Sequence, residues 1–446
     1  MLELDRKVIG VFGYGKTGES VVRFLRKKKV SVVVFDTRSV PKNLKKIPGV
    51  EYNWEVTAWL RTDIDFLIVS PGLRLDLPIL LEAKAKGVVF RSDIDLFFVE
   101  INDKPVFGIT GTNGKSTVTT MLAHVFTENG YVCGCGGNLG VPALDVIDSS
   151  SDVYVLEISS FQLERMQSFG FEAAVILNIS DDHLDHHGSM TSYLASKHKI
   201  FDKAKKCVFN RDDERTYPRS VGKTASFGNG LDAKEGEWSI LEDDSGKWAT
   251  CNREKIVDLS QLPISISHIN HSTMNVLCVL ALTSEYIGAA DVIRALDSYK
   301  GLEHRYKEVS SLKGVSFIND SKATNVGALL SALNNFSKQN VILIGGGDSK
   351  DVDLRPLAQA FVGKIKWFIA IGRDGAKIAA IADSQKIRTS FARSIEEAVI
   401  LAYQVASPGD TILLSPACAS FDMFTNFEER GERFEKAVFS LNVAGS

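Results

Sequence analysis

Short runs of β-branched and aromatic residues alternate along the chain with longer stretches in which apolar positions recur every three or four residues. The runs Val8–Phe12, Ser31–Phe35, Phe66–Val69, Val106–Ile109, Val153–Leu156, Ala174–Leu177, Val341–Ile344, Trp367–Ile371 and Thr411–Leu414 read as strands. Helical spacing covers Thr17–Lys29, Ser116–Asn129, Tyr193–Lys205 and Ser394–Ala406. This alternation predicts parallel sheets, because parallel neighbours need a long crossover between them. Ser220–Asp258 departs from it. Polar, glycine-rich and dotted with tryptophan, it predicts short antiparallel strands and turns.

At 446 residues the chain is long enough for about three domains of ~150 residues. Fifty-two basic against 55 acidic side chains leave a net charge of −3, and no basic excess suited to a nucleic-acid backbone. A 44% hydrophobic and 24% charged composition is that of a globular protein, not a disordered or fibrous one. The apolar runs are too short to span a bilayer, which takes about 20 residues. Met1–Gly15 lacks a basic segment followed by an apolar core, so no secretory leader is expected. Cys133, Cys135, Cys207, Cys251, Cys278 and Cys418 are scattered, which fits reduced thiols and a cytoplasmic setting. Cys133 and Cys135 are the one close pair, and C-x-C without a second pair is weak evidence for a metal.

Two glycine-rich turns divide the chain. Gly13-Tyr14-Gly15-Lys16-Thr17-Gly18 follows a strand and opens a helix, with Asp36 closing the next strand. That context suits a dinucleotide, whose phosphates would meet the helix N-terminus and whose ribose would meet the acid. Glycines that only pack helix on strand, or a site for another nucleotide, fit the same letters. Gly111-Thr112-Asn113-Gly114-Lys115-Ser116-Thr117 lies between a strand and a helix and ends as a mononucleotide phosphate loop does. Ile109 stands where the strict motif has glycine. Backbone N–H groups there can cradle phosphate, Lys115 can reach the terminal phosphates, and a hydroxyl can ligate Mg²⁺. Glu157 ends a strand where a carboxylate can hold Mg²⁺, although an acid at a strand end can equally cap a helix. Asp181-Asp182-His183-Leu184-Asp185-His186-His187 is dense in potential ligands, yet such runs are commonly solvated. Tyr193 and Lys197 share a helix face.

Taken together these strings resemble the Mur ligase family, ATP-dependent enzymes that add amino acids in peptidoglycan synthesis. The resemblance runs through Gly108–Thr119, Gly137-Asn138-Leu139-Gly140, Glu157–Glu164, Asp182–Asp185, Asn319–Asn325, Leu414–Asp422 and Phe427–Gly431. Asn319-Asp320-Ser321-Lys322-Ala323-Thr324-Asn325 is most like members that add D-glutamate to UDP-N-acetylmuramoyl-L-alanine. The resemblance implies an α/β fold of three domains. A Rossmann-like domain over 1–93 would bind the UDP precursor, a central P-loop-type ATPase domain with a mixed or parallel sheet over 94–300 would bind ATP, and a Rossmann-like domain over 301–446 would bind the amino acid.

It also implies roles. Gly111, Thr112, Asn113, Gly114, Lys115, Ser116 and Thr117, with Asn275, Arg305 and Asp320, would bind ATP. Ser116, Thr117, Glu157, His183 and Lys197 would serve two Mg²⁺ sites, Lys197 as a carbamate, because an ammonium cannot ligate a cation. Lys115, Glu157, His183 and Lys197 would be the catalytic set. Gly15, Lys16, Thr17, Asp36, Thr37, Arg38, Ser70, Gly72, Asn138 and His183 would hold the UDP precursor, so the first glycine turn is reread away from a dinucleotide. Lys322, Thr324, Lys350, Ser420 and Phe427 would form the D-glutamate pocket, where cationic lysines suit a dicarboxylate. His186 and His187 receive no role. The partners implied are UDP-N-acetylmuramoyl-L-alanine, D-glutamate and ATP, with no nucleic acid or membrane insertion, and a monomer is expected.

Ile269-Asn270-His271-Ser272-Thr273-Met274-Asn275 departs from the family's G-x-H-N-x-x-N, with Ile269 for glycine and Ser272 for the first asparagine. Three other readings compete. One is a Mur or folylpolyglutamate-type ligase for another amino acid. The second is a nicotinamide-dependent oxidoreductase built on the first glycine turn, which leaves the phosphate loop unexplained. The third is an ATP-binding scaffold without activity, which leaves the intact Lys115 and acidic residues unexplained.

Overall fold

A computed structural model describes residues 7–40, 44–56, 64–167, 170–219, 222–230, 234–262, 270–350 and 352–444. Three sheets follow one another along the chain. The first comprises β1 (Val8–Phe12), β2 (Ser31–Phe35), β3 (Val50–Asn53), β4 (Phe66–Val69) and β5 (Val89–Arg91), in the order β3-β2-β1-β4-β5 and parallel throughout. The order reverses between β1 and β4, and the crevice beyond the strand ends at such a point is where open α/β sheets bind ligands.

The second sheet contains β6 (Val106–Thr110), β7 (Cys133–Gly137), β8 (Val153–Glu157), β9 (Ala173–Ile176), β10 (Lys206–Asn210), β11 (Lys223–Phe227), β12 (Glu237–Asp243), β13 (Gly246–Cys251) and β14 (Glu254–Asp258). Their order is β14-β13-β12-β11-β10-β9-β6-β8-β7, so β6 lies inside a run of parallel strands with β8 and β9 at its sides. The third sheet has β15 (Lys307–Leu312), β16 (Val315–Asn319), β17 (Val341–Gly346), β18 (Ile365–Ile371), β19 (Arg388–Phe391) and β20 (Thr411–Leu414), ordered β15-β16-β20-β17-β18-β19. Its first pair is an antiparallel hairpin whose turn residues, Lys313 and Gly314, both have positive φ, as the tight turns that match strand twist require. The remaining pairs are parallel.

The chain forms two compact units, one carrying the first two sheets through Tyr299 and the other carrying the third sheet from Lys300. A single apolar core joins the first two sheets, reaching from Ile9 and Val34 through Phe97 to Tyr154 and Ile176. In the third sheet Leu343 and Phe368 belong to one core while Ile342 and Ile369 belong to another. That alternation is the mark of a sheet covered on both faces. Among the described residues no helix is long and apolar enough to cross a membrane.

The α/β expectation holds, with local corrections. Lys223–Phe227 is not antiparallel: it pairs in parallel with β10 and β12, and antiparallel pairing begins only at β12–β13. Residues 211–222 are long enough to carry the chain back for a parallel strand. The helix expected over Tyr193–Lys205 covers Met190–His198. Ser189 starts it by accepting the Ser192 N–H, and it tightens into a 3₁₀ turn at Lys199–Phe201.

Candidate active site

The phosphate-loop segment runs from β6 into the helix Lys115–Glu128, and two glycines permit its path. Gly114 has φ 83°, a left-handed conformation open to glycine at no steric cost. A Cβ on Gly111 would stand 3.0 Å from the Leu177 Cβ, so the segment after β9 lies hard against the loop. Asn178 braces it there. Its Oδ1 accepts the Asn113 N–H at 2.9 Å and its Nδ2 donates to the Asn113 carbonyl at 3.0 Å, while its own carbonyl accepts the Thr112 N–H at 2.9 Å. Sequence reading missed Asn178, because a lone asparagine after a strand carries no motif.

Two lysines converge on this loop. Lys115 Nζ donates to the carbonyls of Gly111 and Thr112 at 2.9 and 2.8 Å. Lys197, 1% exposed, donates to the same Gly111 carbonyl at 2.7 Å. Its Nζ lies 4.7 Å from the centre of the Tyr193 ring, whose hydroxyl shares a 3.0 Å hydrogen bond with Thr112 Oγ1. The i,i+4 spacing thus delivers both side chains to the loop.

Glu157 ends β8 beside the loop, buried. Its Oε1 accepts from Asn138 Nδ2 at 2.7 Å, whereas its buried Oε2 has no hydrogen-bond donor among the described residues. A buried carboxylate oxygen without a donor is costly unless a cation meets it. Asn275 Nδ2 is likewise buried without an acceptor among the described residues, and its Oδ1 lies 3.6 Å from where a Gly114 Cβ would stand. A glycine loop at a helix N-terminus, a lysine, two hydroxyl residues and this acid fit a Mg²⁺–nucleotide. Ile269 lies outside the described residues, as does the Ser272 side chain.

His183 has φ 54° and precedes the one-turn helix Leu184–His187. Its ring packs edge-on to Phe161, centroids 4.9 Å apart. His186 and His187 also flank Phe161, at 4.4 and 5.4 Å.

At the first sheet's switch point, Ser70 Oγ donates to the Gly13 carbonyl at 2.6 Å, tying the ends of β4 and β1. Asp36 is buried, its Oδ2 accepting the Tyr14 N–H at 2.7 Å and its Oδ1 the Arg38 N–H at 2.9 Å, with the Arg38 guanidinium on both oxygens. Burial works to raise this carboxyl, but the Arg38 and Tyr14 hydrogen bonds outweigh it and hold it below the usual range. Gly15, Lys16, Thr37, Arg38 and Gly72 are exposed around the turn, and Thr17 is half-buried.

In the second unit, Lys322, Ser420 and Lys350 follow the carboxyl ends of three adjacent parallel strands, β16, β20 and β17. Lys322 Nζ sits 4.1 Å from the centre of the Phe427 ring, and the Thr324 N–H donates to the Lys322 carbonyl at 2.7 Å. Ser420 is buried, while Lys350 is exposed with φ 52°. Arg430, 1% exposed, clamps this region from within: its guanidinium donates to Ser321 Oγ and O at 3.0 and 2.7 Å and to the Cys418 carbonyl at 3.2 Å. Burial lowers its pKa to about 10. Arginine read from sequence is a surface residue by default, so this clamp was not foreseen. Burial pushes the Asp320 carboxyl up to about 7 even though Ser415 Oγ and the Tyr306 N–H donate to it, at 2.9 and 3.2 Å. Arg305 adjoins it in charge and works to lower it.

Residues 7–91 match the Mur ligase MurD-like N-terminal domain, 109–283 the Mur ligase middle domain, and 304–418 the Mur ligase glutamate ligase domain. A protein named UDP-N-acetylmuramoylalanine--D-glutamate ligase from Marinobacter nauticus is 38% identical, covering 98% of this chain and 99% of its own. Proteins of the same name from Pseudomonas aeruginosa and Salmonella typhi are 39% and 37% identical, with 97% or more of each chain covered. The chain belongs to the Mur ligase family. Solved Mur ligases share the fold: a MurC from Thermotoga maritima at 20% identity covers 97% of this chain and 99% of its own with TM-score 0.60. A MurF from the same organism, in complex with ADP, covers 99% and 97% with TM-score 0.60 at 16% identity. The middle-domain match takes in the phosphate loop, Glu157, His183 and Lys197. The glutamate ligase domain match takes in Arg305, Asp320, Lys322, Thr324 and Lys350, and stops before Ser420 and Phe427.

Proposed function

We propose that this Mur ligase joins D-glutamate to UDP-N-acetylmuramoyl-L-alanine in an ATP-dependent step of peptidoglycan synthesis. The observation that carries this is the 37–39% identity, across nearly the whole chain, to ligases named for that reaction. Residues 1–93 serve the precursor, 94–300 ATP and 301–446 the amino acid. A carboxylate is a poor electrophile, so the alanyl carboxylate first takes the γ-phosphoryl group of ATP, giving an acyl phosphate and ADP. The D-glutamate amine, having lost its proton, attacks the carbonyl carbon. The tetrahedral intermediate then expels phosphate and leaves the amide.

The chain's own groups position and neutralise. The N–H groups of the loop and Lys115 take the phosphates, and Asn275, Arg305 and Asp320 take the rest of the nucleotide. Ser116, Thr117, Glu157 and His183 would hold Mg²⁺, which would supply charge neutralisation on the transferring phosphoryl group. Lys115 and Lys197 set two ammonium groups on one carbonyl. Carbamylation of Lys197 would remove that repulsion and would supply an anionic ligand for a second Mg²⁺. Gly15, Lys16, Thr17, Asp36, Thr37, Arg38, Ser70 and Gly72 hold the uridine diphosphate, and Asn138 the far end of the precursor. Lys322 and Lys350 meet the two carboxylates of D-glutamate, with Thr324, Ser420 and Phe427 around them. The enzyme acts in the cytoplasm, where the nucleotide substrates are, as a monomer.

Phosphate release from ATP, measured with UDP-N-acetylmuramoyl-L-alanine and a panel of amino acids, tests the reading. Release that depends on both the precursor and D-glutamate is expected. Preference for L-alanine, a diamino acid or a dipeptide overturns it. ¹³C-bicarbonate labelling followed by NMR tests the carbamate, and absence of a carbamate resonance in active enzyme overturns that part.

A further inference from the structure

Beside the nucleotide loop, three side chains to which the ligase reaction assigns nothing come together. One donor atom each from Glu164, His186 and His187 lies within 4.8 Å of the other two. Glu164 comes from the helix Ser160–Arg165, the histidines from the single turn Leu184–His187. We propose that Glu164, His186 and His187, none of them assigned to Mg²⁺, form a binding site for a divalent transition-metal ion of the zinc class.

The donor set decides the class of ion. Mg²⁺ takes oxygen ligands in a near-ideal octahedron, so two imidazoles and one carboxylate suit it badly. The same set suits Zn²⁺ and its neighbours, which accept imidazole nitrogen and carboxylate oxygen in a tetrahedron and leave a fourth position for water. An edge of such a tetrahedron is about 3.4 Å for ligands ~2.1 Å from the ion; the 3.2 Å His186–Glu164 pair already meets it, and the other separations, none above 4.8 Å, must shorten on binding.

The cluster is also held in place. His186 Nε2 lies 3.2 Å from Glu164 Oε2, a pairing that already puts two of the donors in contact. His187 Nε2 is hydrogen-bonded to Ser160 Oγ at 3.0 Å, and its ring stacks on Phe161 with an interplanar angle of 9°. Partners that fix an imidazole in this way orient ligands in metal sites. Lys199 Nζ donates to the Glu164 carbonyl at 2.8 Å and so pins the helix bearing the acid. One contact opposes the ion: the Arg165 guanidinium lies 3.4 Å from Glu164 Oε2 and must yield that oxygen.

The test uses the full-length protein with Mg²⁺ in large excess, so that oxygen-rich sites are filled with the harder ion. Zn²⁺ is titrated against a chromogenic chelator, and Co²⁺ is used as a spectroscopic substitute. A single tight equivalent is expected, with Co²⁺ ligand-field bands and no thiolate charge-transfer band. Zn²⁺ should raise the melting temperature. Both effects should weaken at least tenfold in His186→Ala/His187→Ala and in Glu164→Gln, the isosteric change that decides the matter where the double variant fails to fold. Absence of a retained equivalent, unchanged affinity in a folded variant, or a thiolate band pointing to the cysteines overturns the proposal.

Discussion

The two glycine turns of the first unit look alike on paper and differ in what holds them. After β1, the turn is fastened by a side-chain acid and a hydroxyl: Asp36 accepts the Tyr14 N–H, and Ser70 Oγ donates to the Gly13 carbonyl. After β6, the turn is fastened by an amide, Asn178, that bonds both edges of Asn113. The acid beside the first turn is hydrogen-bonded on both oxygens by its own neighbours. The acid beside the second, Glu157, keeps one buried oxygen without a donor among the described residues, and two lysines reach the loop's carbonyl. Glycine spacing sets the curvature of such a turn, whereas the ends of the flanking strands set its chemistry.

The sharpest way to break this contrast is to remove a lysine from each turn. Lys115→Ala should cut the rate of phosphate release about 10³-fold with the fold intact by circular dichroism, while Lys16→Ala should act on the precursor KM and leave kcat near its original value. Equal effects would erase the difference. Glu157→Gln keeps the shape and the Asn138 contact but not the charge, and should lower kcat about 10²-fold and raise the Mg²⁺ concentration needed for half-maximal rate. An unchanged Mg²⁺ dependence would remove Glu157 from the metal.

Two smaller effects concern the first turn alone. A Cβ on Gly18 would stand 2.0 Å from the Gly13 carbonyl oxygen, while one on Gly15 meets nothing within 4 Å. Gly18→Ala should therefore cost about 2 kcal/mol in denaturant unfolding, and Gly15→Ala only a few tenths. Asp36→Asn should cost about 1 kcal/mol at neutral pH. Because the folded carboxyl lies below its unfolded value of 3.8, the stability it contributes is present above that value and lost as pH falls below it. The gap between Asp36→Asn and the unaltered protein should close in acid. A gap that stays constant with pH would mean that the Asp36 charge plays no part in fastening the turn.

The parts of the molecule written in local spacing were legible. Both glycine turns, the strands that feed them and the helices that leave them follow from short-range pattern. What escaped depends on partners distant in sequence. Asn178 acts on Asn113, 65 residues away, and Arg430 acts on Ser321, 109 residues away. Cys133–Gly137 was not read as a strand because three of its five residues are glycine. The sheet explains them: a Cβ on Gly134 would stand 2.4 Å from the Tyr154 ring, and one on Gly136 would stand 2.7 Å from the Val141 carbonyl oxygen. Lys322, Lys350 and Ser420 are assigned to the amino acid by resemblance alone, since no spacing shows that three loops so far apart leave neighbouring strands.

That last arrangement bears on how the chain is made. β20 spans Thr411–Leu414 yet pairs with β16 on one side and β17 on the other, so a late-synthesised strand fills the middle of its sheet. Until it leaves the ribosome, β16 and β17 each present an open, apolar edge, the kind of surface on which nascent chains aggregate. The second unit therefore has little to gain from folding piecemeal during translation. Its central pairs, β16 with β20 and β17 with β20, can form only once residues 411–414 are available, as long-range contacts.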